Sequence, residues 1–195
     1  PPFSAYGVPE RAEMQPIRNA QSPQRTSEFA ILFMVMLVTG AGNTALQSVL
    51  PAIGRSMGVA DSLIATIFSV SALIWVFSAP YWARRSDRKG RKAMVVIGSA
   101  GFTVSILLVG VLLYAGLQGW VSATVSVLAI VASRAIFGIF GSAAPPAAQA
   151  MVVLQTPKAQ RTKALSLLGS AFGMGTVLGL ALAPWMVMPV IGLAG

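Results

Sequence analysis

The chain has 195 residues, of which 55% are hydrophobic and only 10% charged. A soluble domain carries about 25% charged residues, so composition argues against a water-facing globule. The net charge of +9 lies in cations that flank hydrophobic runs and form no separate basic module, which argues against nucleic-acid binding.

Cysteine and histidine are absent from the sequence. That removes disulfides and thiolate metal sites, the commonest metal ligand and the usual near-neutral proton carrier. There is no phosphate loop and no carboxylate pair. No metal or cofactor is expected, and soluble enzyme chemistry has no support.

Residues 1–27 hold Pro1, Pro2, Pro9, Pro16 and Pro23 among Ser, Gln and Arg. Such a composition buries no core and predicts a disordered cytoplasmic tail, with no cleavable signal peptide in it. With Pro-Pro in place of Met at its start, the chain is expected to be processed or a fragment. A first span is expected from Phe29 to Leu50, stopped near Pro51, followed by a short loop with Arg55 and Asp61. The second span fills Ser62 to Ala83 without a charge, and a basic loop, 84–92, follows it.

The 41 residues from Ala93 to Ser133 are uncharged. A bilayer core takes about 20 apolar residues per helix, so this stretch is roughly two spans and a turn. The turn is expected at Gly116-Leu117-Gln118-Gly119-Trp120, where two glycines permit the reversal and Trp120 suits an interface. The fourth span contains Arg134 and ends before Gln155. The fifth runs from about Ala164 to Pro184, and a sixth begins near Met188. Backbone groups in lipid must be satisfied internally, so the spans are expected to be helices.

Charge sets the orientation. Twelve of the 14 cations fall in the tail, in the loop 84–92 and around 158–163, and only Arg55 lies on the other side. The imbalance predicts a cytoplasmic N-terminus in a multi-pass cell-membrane protein, with the bacterial inner membrane as the expected location. The basic loop is also placed to touch anionic lipid heads.

Arg134 is the costliest residue to insert, at about 2.5–3.5 kcal/mol or more for a central Arg, so it is expected to face protein or water. Counting from Thr124 places it about 15 Å deep, and counting back from Pro51 places Asn43 about 12 Å deep, at 1.5 Å per residue. The two are expected to meet. Asn43 and Gln47 are four residues apart and share one helix face. They either bond across helices as structural glue or line a polar cavity. No Asp or Glu lies within any span.

The fifth span carries Gly169, Gly173, Gly175 and Gly179, two Gly-x-x-x-Gly pairs on different faces. They permit either close helix packing or a helix that bends and slides. The aromatics Phe68, Trp75, Phe77, Phe137, Phe140 and Phe172 are read as lipid-facing or core, with a pocket lining as the alternative. In the basic loop, Asp87 is one acid among six cations, a pattern richer than sidedness requires. It is placed to cap a helix or to pair with an Arg, and Gly90 permits a tight turn.

The loop containing Asp87, Arg88, Gly90, Arg91 and Lys92 resembles the major facilitator superfamily signature between the second and third helices, Gly-x-Leu-Ala-Asp-Arg-x-Gly-Arg-Arg/Lys. Ala83 stands at the family's Gly and Arg85 at its Leu. Arg134 with Gly138 and Gly141 resembles the family's fourth-helix arginine motif. The fifth-helix glycines resemble the motif of the drug:proton antiporter branch, with Gly179-Leu180 where that branch has Gly-Pro.

The resemblance covers about residues 28–195. It implies an all-α membrane protein, the N-terminal six-helix half of a twelve-helix transporter fold, with five spans complete and the sixth truncated. It further implies a conformational latch at Asp87, Arg88, Gly90, Arg91 and Lys92 against a missing C-terminal half. It places Arg134 near a substrate or proton pathway. The expected activity is proton-coupled efflux of small amphipathic compounds, drugs among them. A metabolite-uptake symporter is the alternative within the class, and a non-transporting scaffold or inactive fragment lies outside it.

Overall fold

The computed structural model describes the backbone of residues 23–191 and the side chains of residues 26–185. The expected tail thus lies largely outside the described residues; its last five, from Pro23, form the first turns of a helix. Five helical spans cross the molecule: α1 (Pro23–Ser56), α2 (Asp61–Lys89), α3 (Arg91–Leu117), a fourth span built of α4 (Ala123–Ile136), a π turn (Phe137–Gly141) and α5 (Ala144–Gln155), and α6 (Arg161–Ile191). There is no strand among the described residues. All five spans are long and apolar enough to cross a membrane. Large side chains such as Val76, Phe77, Leu107 and Val177 are exposed along them, as a lipid solvent requires.

Several boundaries differ from expectation. Pro51 does not stop the first span; it lies inside α1, which runs on to Ser56. Proline removes one ladder bond, and the rest of the helix tolerates that loss. The basic loop is almost entirely helical, because α2 continues to Lys89 and α3 begins at Arg91. Gly90 alone separates them, with φ 94°. The left-handed φ is open to Gly at no steric cost, so the chain reverses on one residue. Pro184 lies within α6, as does Met188, so the described residues hold no separate sixth span.

The interior is layered along the length of the spans. One apolar cluster joins Leu32 and Met36 of α1 to Trp82, Met94, Val95, Ala147, Val152 and Leu168. A second, toward the opposite end, joins Leu50, Ile64, Ile67, Val109, Val127 and Ile130. Buried Ser71, Ser105, Ser133 and Arg134 fall between the two by chain position, as does half-buried Asn43. A polar layer therefore sits between two dry ones.

Glycines set how closely the spans approach. A Cβ at Gly175 would strike the Leu37 carbonyl, and one at Gly179 the Ala41 carbonyl and Thr44. Thr44 donates its hydroxyl to the Thr176 carbonyl across the same α1–α6 seam, at 3.0 Å. The other pair, Gly169 and Gly173, is exposed with nothing within 4 Å of an added Cβ. Of the two glycine pairs, one is thus a packing seam and the other an open face.

Candidate functional site

Arg134 is 2% exposed, and its Nη2 donates to Asn43 Oδ1 at 2.6 Å. A guanidinium only donates, so the amide must present its oxygen. Nε and Nη1 are buried without a partner among the described residues. The guanidinium carbon lies 4.3 Å from the Phe137 ring centroid and 5.7 Å from that of Phe68. A desolvated cation over aromatic faces gains about 2 kcal/mol. That offsets part of the burial cost where no carboxylate is at hand. The ion pairs of the described residues are Arg55–Asp61 and Arg91–Asp87, both away from this layer.

The surroundings hold Phe137 in place. Its ring packs at 5.2 Å from Trp75 and 5.6 Å from Phe102, centroid to centroid. Beside Arg134, the Ser133 hydroxyl donates to the Ser105 carbonyl at 3.0 Å, tying α4 to α3. Gln47, expected on the Asn43 face, is exposed and makes no hydrogen bond to Arg134. The structure thus brings Asn43 and Arg134 together and leaves Gln47 outside. An apolar groove of about 460 Å³ between α1 and α3, lined by Ile31, Met34, Val38 and Phe102, does not reach Arg134.

The break in the fourth span escaped the sequence reading. Three residues after Arg134 the backbone opens into the π turn Phe137–Gly141. Two side chains converge on the carbonyl of Ile139: Trp82 donates from Nε1 at 2.5 Å and Ser142 from its hydroxyl at 2.9 Å. The available signal was the tandem Pro145-Pro146, which deprives the preceding turn of two N–H donors. Gly138 lies in the turn, close against α2: a Cβ there would meet the Ser71 carbonyl at 2.7 Å and Ile74 at 3.0 Å. A Cβ added at Gly141 would likewise meet the Phe137 ring, at 2.5 Å.

At the α2–α3 junction, Asp87 is exposed and its carboxylate lies 3.4 Å from Arg91 Nη2. It caps no helix; the N-cap of α3 is Gly90, without a side-chain bond. Arg91 also donates from Nη1 to the Ala150 carbonyl on α5, at 3.1 Å. One arginine therefore ties the reversal to the end of the fourth span. Arg88 and Lys92 are exposed beside it.

Comparison with known proteins matches the sequence to one family. The family model of the Major Facilitator Superfamily matches residues 32–193. The multidrug resistance protein MdtG of Proteus mirabilis is 26% identical over 154 residues, which cover 76% of this chain and 35% of that protein. MdtG of Yersinia enterocolitica is 26% identical over 166 residues, covering 81% and 37%. MdtG of Serratia proteamaculans is 24% identical over 154 residues, covering 76% and 34%. The matched segment spans little more than a third of the length of these relatives. With the family model matching most of its residues, this multi-pass helical chain belongs to the Major Facilitator Superfamily.

Proposed function

We propose that the chain is the N-terminal half of a secondary transporter that exports small amphipathic compounds, drugs among them, in exchange for protons. Family membership and the multidrug resistance relatives support transport and efflux. The observation that carries the reading is Arg134, which is buried with one hydrogen bond and, among the described residues, two unpartnered nitrogens. A buried charge held by one amide and two aromatic faces, with no carboxylate, is still costly, and a passive scaffold has no use for that cost. An incompletely satisfied cation at mid-depth is suited to exchanging partners as the protein cycles.

In this reading the C-terminal half closes over the exposed face that carries Gln47, and substrate binds between the halves near the midplane. Arg134 remains charged throughout and does not itself carry the proton. It acts on a carboxylate supplied by the other half or by the substrate. Asp87, Arg88, Gly90, Arg91 and Lys92 form the cytoplasmic latch of one state, with the N-terminus in the cytoplasm.

The test is dye efflux from bacteria that lack their own drug pumps and express the full-length protein. Energised cells should expel an amphipathic dye such as ethidium, and a protonophore should abolish the export. Dye retention equal to that of empty-vector cells, or export indifferent to the protonophore, would overturn the reading.

A further inference from the structure

Trp82 makes a polar contact that packing alone does not require. It is 8% exposed within the apolar cluster of α1, α3, α5 and α6. Its ring lies 6.0 Å from that of Phe140, centroid to centroid. Its indole N–H reaches the Ile139 carbonyl at 2.5 Å, in the middle of the π turn. The Ser142 hydroxyl meets the same carbonyl. Two side-chain donors thus secure one peptide group where the fourth span departs from α geometry. Single π turns inside helices are rare and often mark functional sites.

The turn sets the phase between two anchored ends. On one side Arg134 is held by Asn43 and by the ring of Phe137, the first residue of the turn. On the other side α5 is held where Ala144 abuts Gly98 and where the Ala150 carbonyl accepts from Arg91. A π turn accommodates one extra residue. Losing it would rotate one side against the other by about 100°, the angle per residue of an α-helix. Arg134 and α5 could not then both keep their partners.

We propose that Trp82 is a positioning residue for Arg134: its indole N–H, with the Ser142 hydroxyl, clamps the Ile139 carbonyl and holds the π turn that presents Arg134 to Asn43. The inference rests on the reading of Arg134 as part of the transport pathway. It makes α2, five residues before Asp87, the element that governs the arginine. A displacement of the α2 end relative to the fourth span either breaks the indole bond or drags the turn.

Two measurements on the full-length protein test this. The first is hydrogen–deuterium exchange in Trp82→Phe, which keeps a ring and removes the donor, and in Ser142→Ala, which removes the second donor with little change of volume. Each should accelerate exchange in peptides covering 137–144 by about two- to tenfold, the worth of one hydrogen bond, with 166–183 unchanged. Unchanged exchange in 137–144, or equal acceleration throughout, overturns the clamp.

The second is a double-mutant cycle on transport rate per folded molecule. If Trp82 acts through Arg134, Trp82→Phe combined with Arg134→Lys should transport no worse than Arg134→Lys alone. A combined loss equal to the product of the single losses overturns the positioning role. Wild-type transport by Arg134→Lys would instead sink the pathway reading, with the exchange result still deciding the clamp.

Discussion

Arg134 Nη2 and Asn43 Oδ1 are 2.6 Å apart, although 91 positions separate the residues in sequence. Neither element could hold its polar group alone. A lone arginine in lipid requires a partner, and an asparagine amide buried in a span requires a donor. The pair satisfies part of both needs and leaves Nε and Nη1 without a partner among the described residues.

Charge distribution predicts orientation. A reporter fused after Lys92 should be cytoplasmic, and one fused at Gln118, in the reversal between α3 and α4, should be external. The measurement is paired phosphatase and fluorescent-protein fusions. The opposite pattern would invert the assignment of Asp87 and Arg91 to a cytoplasmic latch.

Much of this architecture was legible because lipid imposes a simple rule. Uncharged runs of fixed length give the spans, and Arg134 and Asn43 could be matched in depth by counting residues along helices. What the rule does not encode is phase and continuity. The break at Phe137–Gly141 arises from Pro145 and Pro146 acting several residues upstream and from Trp82 on another helix. Pro51 reads as a stop and Pro184 as the approximate end of the fifth span, yet they are carried inside α1 and α6. Depth decides that Asn43 meets Arg134 while Gln47, on the same face but about 6 Å further along α1, is exposed. Helix rotation decides that Gly175 and Gly179 meet α1 while Gly169 and Gly173 do not.

The glycine asymmetry is testable by stability. Gly175→Ala and Gly179→Ala each place a methyl against an α1 backbone carbonyl, which cannot give way as a side chain would. Each should cost about 1–3 kcal/mol, the usual range for overpacking. Gly173→Ala meets nothing within 4 Å and should be neutral or stabilising by up to about 1 kcal/mol, through helix propensity. Thermal unfolding in detergent measures all three. Equal effects at Gly173 and Gly179 would refute the α1–α6 seam.

Asp87 is expected to act in the conformational cycle and not in substrate contact. Its carboxylate is exposed at the α2–α3 reversal, 3.4 Å from Arg91 Nη2. An exposed pair of that kind contributes less than about 1 kcal/mol to folding, so Asp87→Asn should leave stability unchanged. In the full-length protein it should depress transport while substrate affinity stays within a few-fold. Lost binding with a normal cycle of the liganded protein would remove Asp87 from the latch.

Arg134 gives the sharpest test, because insertion and transport should move apart. Arg134→Ala removes a residue whose insertion costs about 2.5–3.5 kcal/mol or more, so membrane levels should hold. It also deletes the donor that Asn43 accepts from and the cation stacked on Phe137. Coupled transport should fall to background. Arg134→Lys keeps the charge but replaces a planar fork by a compact ammonium, which cannot reach Asn43 and lie over Phe137 in the same manner. A hydrogen bond to a charged group is worth about 1.5–3 kcal/mol, so the lysine variant should retain roughly a tenth of wild-type transport or less. Asn43→Ala should resemble it, since the guanidinium loses its one hydrogen-bond partner among the described residues. Wild-type rates and pH dependence in full-length Arg134→Ala would remove the arginine from the pathway. Full activity in Asn43→Ala would show that the 2.6 Å contact holds helices together and takes no part in transport.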